Sequence, residues 1–191
     1  MDSSKISVKF FVRDASGLHP DSFVPVFHRW IQTHALPGHQ LVDVADYKHV
    51  PDGPGTVLVA HEANLLTDSS HGKLGLLYLR KTPIEGDLSQ RLRLVFRDAL
   101  FACKKLEEEP ALAGKIFFRT DEVQIRIHDR LNAPNSAKTF NEVKPAVETF
   151  LRNLYGSPVT LTHDPNEETL FEITAKTNST ASVSDLLSRI G

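Results

Sequence analysis

Apolar and polar residues alternate from Lys5 to Arg13. Ile6, Val8, Phe10 and Val12 fall on one side, and Ser7, Lys9, Phe11 and Arg13 on the other. That period of two marks a half-buried strand. The pattern then changes to helical spacing. Phe23, Val26, Phe27, Trp30 and Ile31 form one apolar stripe, with Asp21 or Ser22 as cap, Pro25 near the first turn and Pro37-Gly38 as the stop. LVDVADYKHV and TVLVAHE, joined by PDGPG, read as a hairpin, and LGLLYLRK as a further strand. A long helix follows, capped by Asp87 or Ser89, with Leu92, Val95, Phe96, Ala99, Leu100, Cys103 and Leu106 on one face. KIFFRTDEVQIRIHDR is expected to be a tight hairpin turning near Thr120-Asp121. TFNEVKPAVETFLRNLYG is the clearest helix, with Thr139 and Glu142 as a capping box and Gly156 and Pro158 at its end. VTLTHDP and TLFEITAK make the last hairpin.

Each helix carries only one apolar stripe, so the pattern predicts an α+β fold: two layers, a mostly antiparallel sheet and helices on one face. One domain is expected over 1–176. Residues 177–191 are expected to be a flexible linker and a short C-terminal helix or tail. Laying Pro25 over Pro145 superposes the two apolar stripes, Trp30 on Phe150 and Ile31 on Leu151. This supports two strand–helix–hairpin repeats. The competing account is that any two amphipathic helices can be aligned this way.

The runs KISVKFFV, FVPVFHRWIQ, LVDVADYKHVPDGPGTVLVAHE, GLLYLRK and RLNAPN resemble a group of soluble bacterial proteins to which no activity is attached. The resemblance covers roughly Lys5 to Gly156. It implies a bacterial, cytoplasmic origin and brings no functional residue with it.

Composition narrows the function classes. With 22 basic and 24 acidic residues the net charge is −2, so no field of one sign draws the chain to nucleic acid or to a membrane. No run nears the ~20 apolar residues of a membrane helix, and no signal-peptide pattern opens the chain. Cys103 is the only cysteine, which rules out an internal disulfide and fits a reducing compartment. Its place in an apolar stripe makes it a buried small hydrophobe.

Chemistry-bearing motifs are scarce. The sequence has no Gly-x-Ser-x-Gly elbow, no Gly-x-Gly-x-x-Gly loop and no phosphate loop. No cofactor is therefore expected. The first hairpin holds Asp43, Asp46, His49, His61 and Glu62, but only Asp43 and His61 are neighbours on one face: His49 lies about 13 Å further along and Asp46 and Glu62 on the opposite face, which leaves the site one ligand short of a catalytic metal site. No metal is expected, and Asp43 with His61 reads as a hydrogen-bonded pair. His163 and the other scattered histidines read as surface residues, and Asn132, Pro134 and Asn135 as a turn.

The sheet face away from the helices is the stronger candidate. It is expected to carry Phe11, Arg13, Tyr47, Tyr78, Arg80, Phe117, Arg126, His128 and Arg130, with Asp43 and His61 beside them. Aromatic and arginine mixtures favour interfaces, and arginine forks suit carboxylate or phosphate. The leading expectation is a non-enzymatic binding module that uses this open face for homodimerisation or for a small anionic ligand. The alternative is a small enzyme with acid–base or metal chemistry around Asp43, His61 and His128.

Overall fold

The chain is described by a computed structural model that covers residues 5–47, 49–50, 53–166 and 168–191. Its strands are β1 (Ile6–Val12), β2 (Leu41–Asp46), β3 (Thr56–Ala60), β4 (Ala63–Asp68), β5 (Gly75–Arg80), β6 (Phe118–Ile127), β7 (Val159–Thr162) and β8 (Phe171–Thr177). Its helices are α1 (Phe23–Thr33), α2 (Leu88–Glu107), α3 (Ala137–Tyr155) and α4 (Val183–Ile190). The fold is α+β. All eight strands join one antiparallel sheet in the order β2-β3-β4-β5-β1-β6-β8-β7. Among the described residues no helix is long and apolar enough to cross a membrane.

Alternation along β1 sorts the two faces. Ile6, Val8 and Phe10 are fully buried against the helices, and Phe10 meets the ring of Phe96 edge-on at 5.8 Å. Phe23, Val26, Phe27 and Trp30 line the buried side of α1. Trp30 also donates to Glu109 Oε2 at 3.1 Å, so its indole N–H is satisfied inside the core. Helix α2 begins at a capping box: Asp87 accepts from the Gln90 amide and Gln90 returns the bond. The cap of helix α3 lies three residues before the expected one, because Ser136 rather than Thr139 accepts the first free amide. Helix α4 lays Val183, Leu186 and Ile190 into the same core, and Arg189 donates to the carbonyls of Leu154 and Tyr155 at the end of α3. The stretch expected as a linker, 177–182, is tied down. Thr120 donates to Ala181 O at 2.6 Å, and Thr177 to Pro158 O.

Two units are visible in the connectivity. In β1–α1–β2–β3–β4–β5 the first strand lies mid-sheet, the helix crosses to the edge, and a meander returns until β5 lies against β1. The unit β6–α3–β7–β8 does the same with two meander strands in place of four. The first strands, β1 and β6, pair antiparallel at the centre.

Two sequence expectations are corrected here. The run from Lys115 to Arg130 is one strand, not a hairpin. Its register shifts between the Phe10–Val123 and Val12–Phe118 pairs, leaving extra β6 residues opposite β1. Such a bulge reverses the alternation, so even-numbered Phe118 and odd-numbered Val123 both reach the core. The second correction is β4, which follows β3 after a two-residue turn where the sequence had indicated no strand. Of the PDGPG turn, Pro51 and Asp52 lie outside the described residues.

Candidate functional site

The register assigns the open face row by row. One row runs Ala45, Val57, Leu66 and Leu77 across β2 to β5. It continues through Lys9, Gln124, Thr174 and Thr162 across β1, β6, β8 and β7. The face is therefore apolar over the first unit and polar over the second, and it changes at Lys9.

Of the expected site residues, Phe11, Arg126 and His128 share this face near its centre. Phe11 lies under the ammonium groups of Lys9 and Lys73, at 5.1 and 5.4 Å from its ring centre. His128 is hydrogen-bonded to Ser7 Oγ at 2.8 Å. Burial, with the positive charges of Arg126 and Lys5 nearby, pushes its pKa down to about 4. Its imidazole is neutral at pH 7.

The other expected residues do not join them. Tyr78 pairs with Val8 and is fully buried on the helix side, where it donates to Asp98 Oδ2 at 3.1 Å and is hydrogen-bonded to His39 Nε2 at 2.8 Å. Burial and the adjacent Asp98 carboxylate raise its pKa. Arg80 falls on the helix side with it. A strand buried on both faces shows no alternation, so LGLLYLRK could not reveal which way its tyrosine points. Arg13 extends past the end of β1 and donates from Nε to Phe118 O at 3.2 Å, beside the half-exposed Phe117. Tyr47 follows β2 at the far corner, and Arg130 is exposed in the loop after β6.

Asp43 sits on edge strand β2 opposite Val59, and its Oδ1 accepts from the Val44 amide. His61 occupies the turn after β3, and no hydrogen bond links it to Asp43. His128, just past β6, is five strands from Asp43 in sheet order, roughly 24 Å at ordinary strand spacing. The trio named for acid–base chemistry is thus spread across the sheet.

The structure brings a different set together. A cavity of about 530 Å³ opens over the second unit. Its floor is the Arg126–Glu172 register pair with Thr174 and Thr162. Glu172 accepts from Gln124 Nε2 and from Arg126 Nε, both at 2.5 Å, and Arg126 Nη2 donates to Gln124 Oε1 at 2.9 Å. These three side chains close a ring of charge-assisted bonds. The wall is formed by His163, Asp164, Asn166, Thr169 and Leu170 of the connection from β7 to β8, braced by buried Asn135. Asn135 donates to Asp164 O at 3.2 Å and Thr169 Oγ1 at 2.8 Å, and its own carbonyl accepts from the Asn166 amide. His163 bonds to Asn135 Oδ1 at 2.7 Å and stacks on Phe140 with ring centres 5.0 Å apart. Burial lowers its pKa.

His71 reaches the cavity from the first unit, in the β4–β5 connection. Its backbone is left-handed at φ 58°, followed by Gly72 at φ 70°. A side chain held there carries strain on the order of 1 kcal/mol, a pattern common at binding sites.

Of this set, sequence reading had found only Arg126. His163 and Asn135 are 28 residues apart and meet through the fold. The available signal was the length of the β7–β8 connection, which exceeds a tight hairpin and is rich in Asn, Asp and His. Among the described residues no group of three or more His, Cys, Asp or Glu side chains is placed to hold a metal. The chain matches no protein-family model, no curated protein and no solved structure.

Proposed function

We propose that this chain is a binding module that holds a small polar molecule in the cavity over β6, β8 and β7. The observation that carries this reading is the cavity of about 530 Å³, within the usual size of a ligand site, whose lining among the described residues has Leu170 as its sole aliphatic side chain. The polar groups are preorganised. Asn135 is buried and braces three points of the wall, and Glu172 is fixed by two donors. The lining offers donors and acceptors that would hold a polar ligand.

The test is a fragment screen read by two-dimensional NMR. Hits are expected to shift the signals of Thr162, Thr174, His163 and Thr169. Thr174→Phe, which fills the floor and leaves the helix-side core untouched, is expected to abolish them. Hits that cluster elsewhere, or that survive Thr174→Phe, overturn the reading.

A second reading rests on the other half of the face. Leu66, Val59 and Leu79 are half-buried apolar residues there, beside the buried Val57 and Leu77. Pairing with a second copy would cover those three half-buried side chains. Leu66→Lys is then expected to turn a dimer into a monomer by solution mass. A wild-type chain that is monomeric at high concentration removes this reading.

A further inference from the structure

We infer that the ligand of this cavity is a hydrogen-bond donor, an uncharged polyol or a protonated amine, and that the site discriminates against carboxylates and phosphates. The inference rests on the cavity being a ligand site. It follows from where the protons must be. Asn135 Nδ2 contacts the carbonyl oxygen of Asp164, which can only accept. That contact fixes the Asn135 amide: nitrogen toward the wall, Oδ1 toward His163. Oδ1 in turn can only accept, so His163 Nε2 carries a hydrogen and donates to it at 2.7 Å.

Burial keeps the His163 ring neutral at pH 7, which leaves Nδ1 with a lone pair. No side chain or amide among the described residues donates to it. The ring lines the cavity, and its contacts with Phe140 and with Phe171 at 5.1 Å fix its plane. An O–H or N–H of a ligand completes this acceptor, whereas a carboxylate or phosphate oxygen would face it lone pair to lone pair.

The charges agree. Among the described residues Arg126 is the only lysine or arginine in the lining, and it is already paired with Glu172. Asp164 adds a second carboxylate. An anion would therefore meet two negative groups and one compensated positive one. A cation or a set of hydroxyls would meet acceptors, with the hydroxyls of Thr162, Thr169 and Thr174 able to turn either way.

The experiment compares four probe classes on the whole chain: neutral polyols, protonated amines, carboxylates and inorganic phosphate, each followed by NMR shifts at Thr174 and His163. Long-range proton–nitrogen correlation of His163 reports its tautomer. The expected result is the Nε2–H form with polyols or amines as the binders. His163→Phe, which keeps the ring contacts and deletes the acceptor, should weaken those binders roughly fivefold. Asn135→Asp places a carboxylate beside Nε2, favours the imidazolium and should shift preference toward carboxylates. If either variant fails to fold, the wild-type tautomer and probe ranking decide. Carboxylates or phosphate as the best wild-type binders, or an Nδ1–H tautomer, overturn the inference and leave the cavity reading standing. No probe of any class in the cavity overturns both.

Discussion

Lys9 Nζ lies 2.8 Å from Asp68 Oδ2 on the side of the sheet that no helix covers, and both side chains are buried. Burial pushes the Lys9 pKa below its ordinary value against the pull of Asp68. Burial would raise Asp68, but hydrogen bonds from Lys9 and Ser70 outweigh it and hold the carboxyl below its ordinary value. The pair stands where the open face changes from apolar to polar. Removing one partner strands the other charge: Lys9→Met is expected to cost about 3 kcal/mol, and Lys9→Met with Asp68→Leu much less. Urea denaturation of the four members of this cycle measures the coupling. A double-variant loss equal to the sum of the two single losses would show that the pair is not coupled.

Gly75 makes that contact geometrically possible. It pairs with Phe11 on one side and Asp68 on the other, so the Lys9 side chain passes over its backbone to reach the carboxylate. A Cβ at Gly75 would come 2.8 Å from Lys9 Cε and 2.5 Å from the Phe10 carbonyl oxygen. The lysine can shift, but the carbonyl belongs to the sheet ladder and cannot. Gly75→Ala is therefore expected to destabilise by roughly 2 kcal/mol. A loss below half of that would mean the ladder gives at this point.

His128 supplies a pH dependence whose sign is fixed. Its folded pKa is about 4 and its unfolded pKa near the ordinary value of 6.5. Between those values the unfolded chain binds the extra proton, so stability falls as pH drops through this window, on the order of 3 kcal/mol in all. His128→Gln is expected to flatten the unfolding curve between pH 6.5 and 4 relative to wild type. Parallel curves for the two proteins would sink this assignment.

Tyr155 ends α3 with its ring buried and its Oη without a hydrogen-bond partner among the described residues. A stranded hydroxyl is a desolvation cost with no return, so Tyr155→Phe should stabilise the fold by up to about 1 kcal/mol. Thermal unfolding would show it, and a fall in Tm would mean that a buried water serves the hydroxyl.

His71 holds a left-handed backbone that glycine adopts without penalty. His71→Gly should therefore raise stability by up to about 1 kcal/mol while weakening any ligand of the cavity. A variant that binds as wild type would remove His71 from the site.

Local physics was legible in the chain. The alternation in β1 put Ile6, Val8 and Phe10 on one side, and the stripes of α1, α2 and α3 each needed a single partner surface, so a two-layer α+β fold followed from period alone. The core members Ile116, Phe118, Val123, Ile125 and Ile127 could also be read, even though they were assigned to a hairpin. Periodicity reports which residues share a face only while the register is regular. The β6 bulge reversed its alternation, and the β5 run is apolar on both sides, so the turn at Thr120 and the outward Tyr78 both failed for want of a local signal. Register is a property of two strands. The His163–Asn135 contact, the Glu172 ring and the approach of His71 each join residues far apart in the chain, and each partner alone is an ordinary loop or strand residue. What the residues prefer was written locally, and which of them meet was decided by the packing of two units into one sheet.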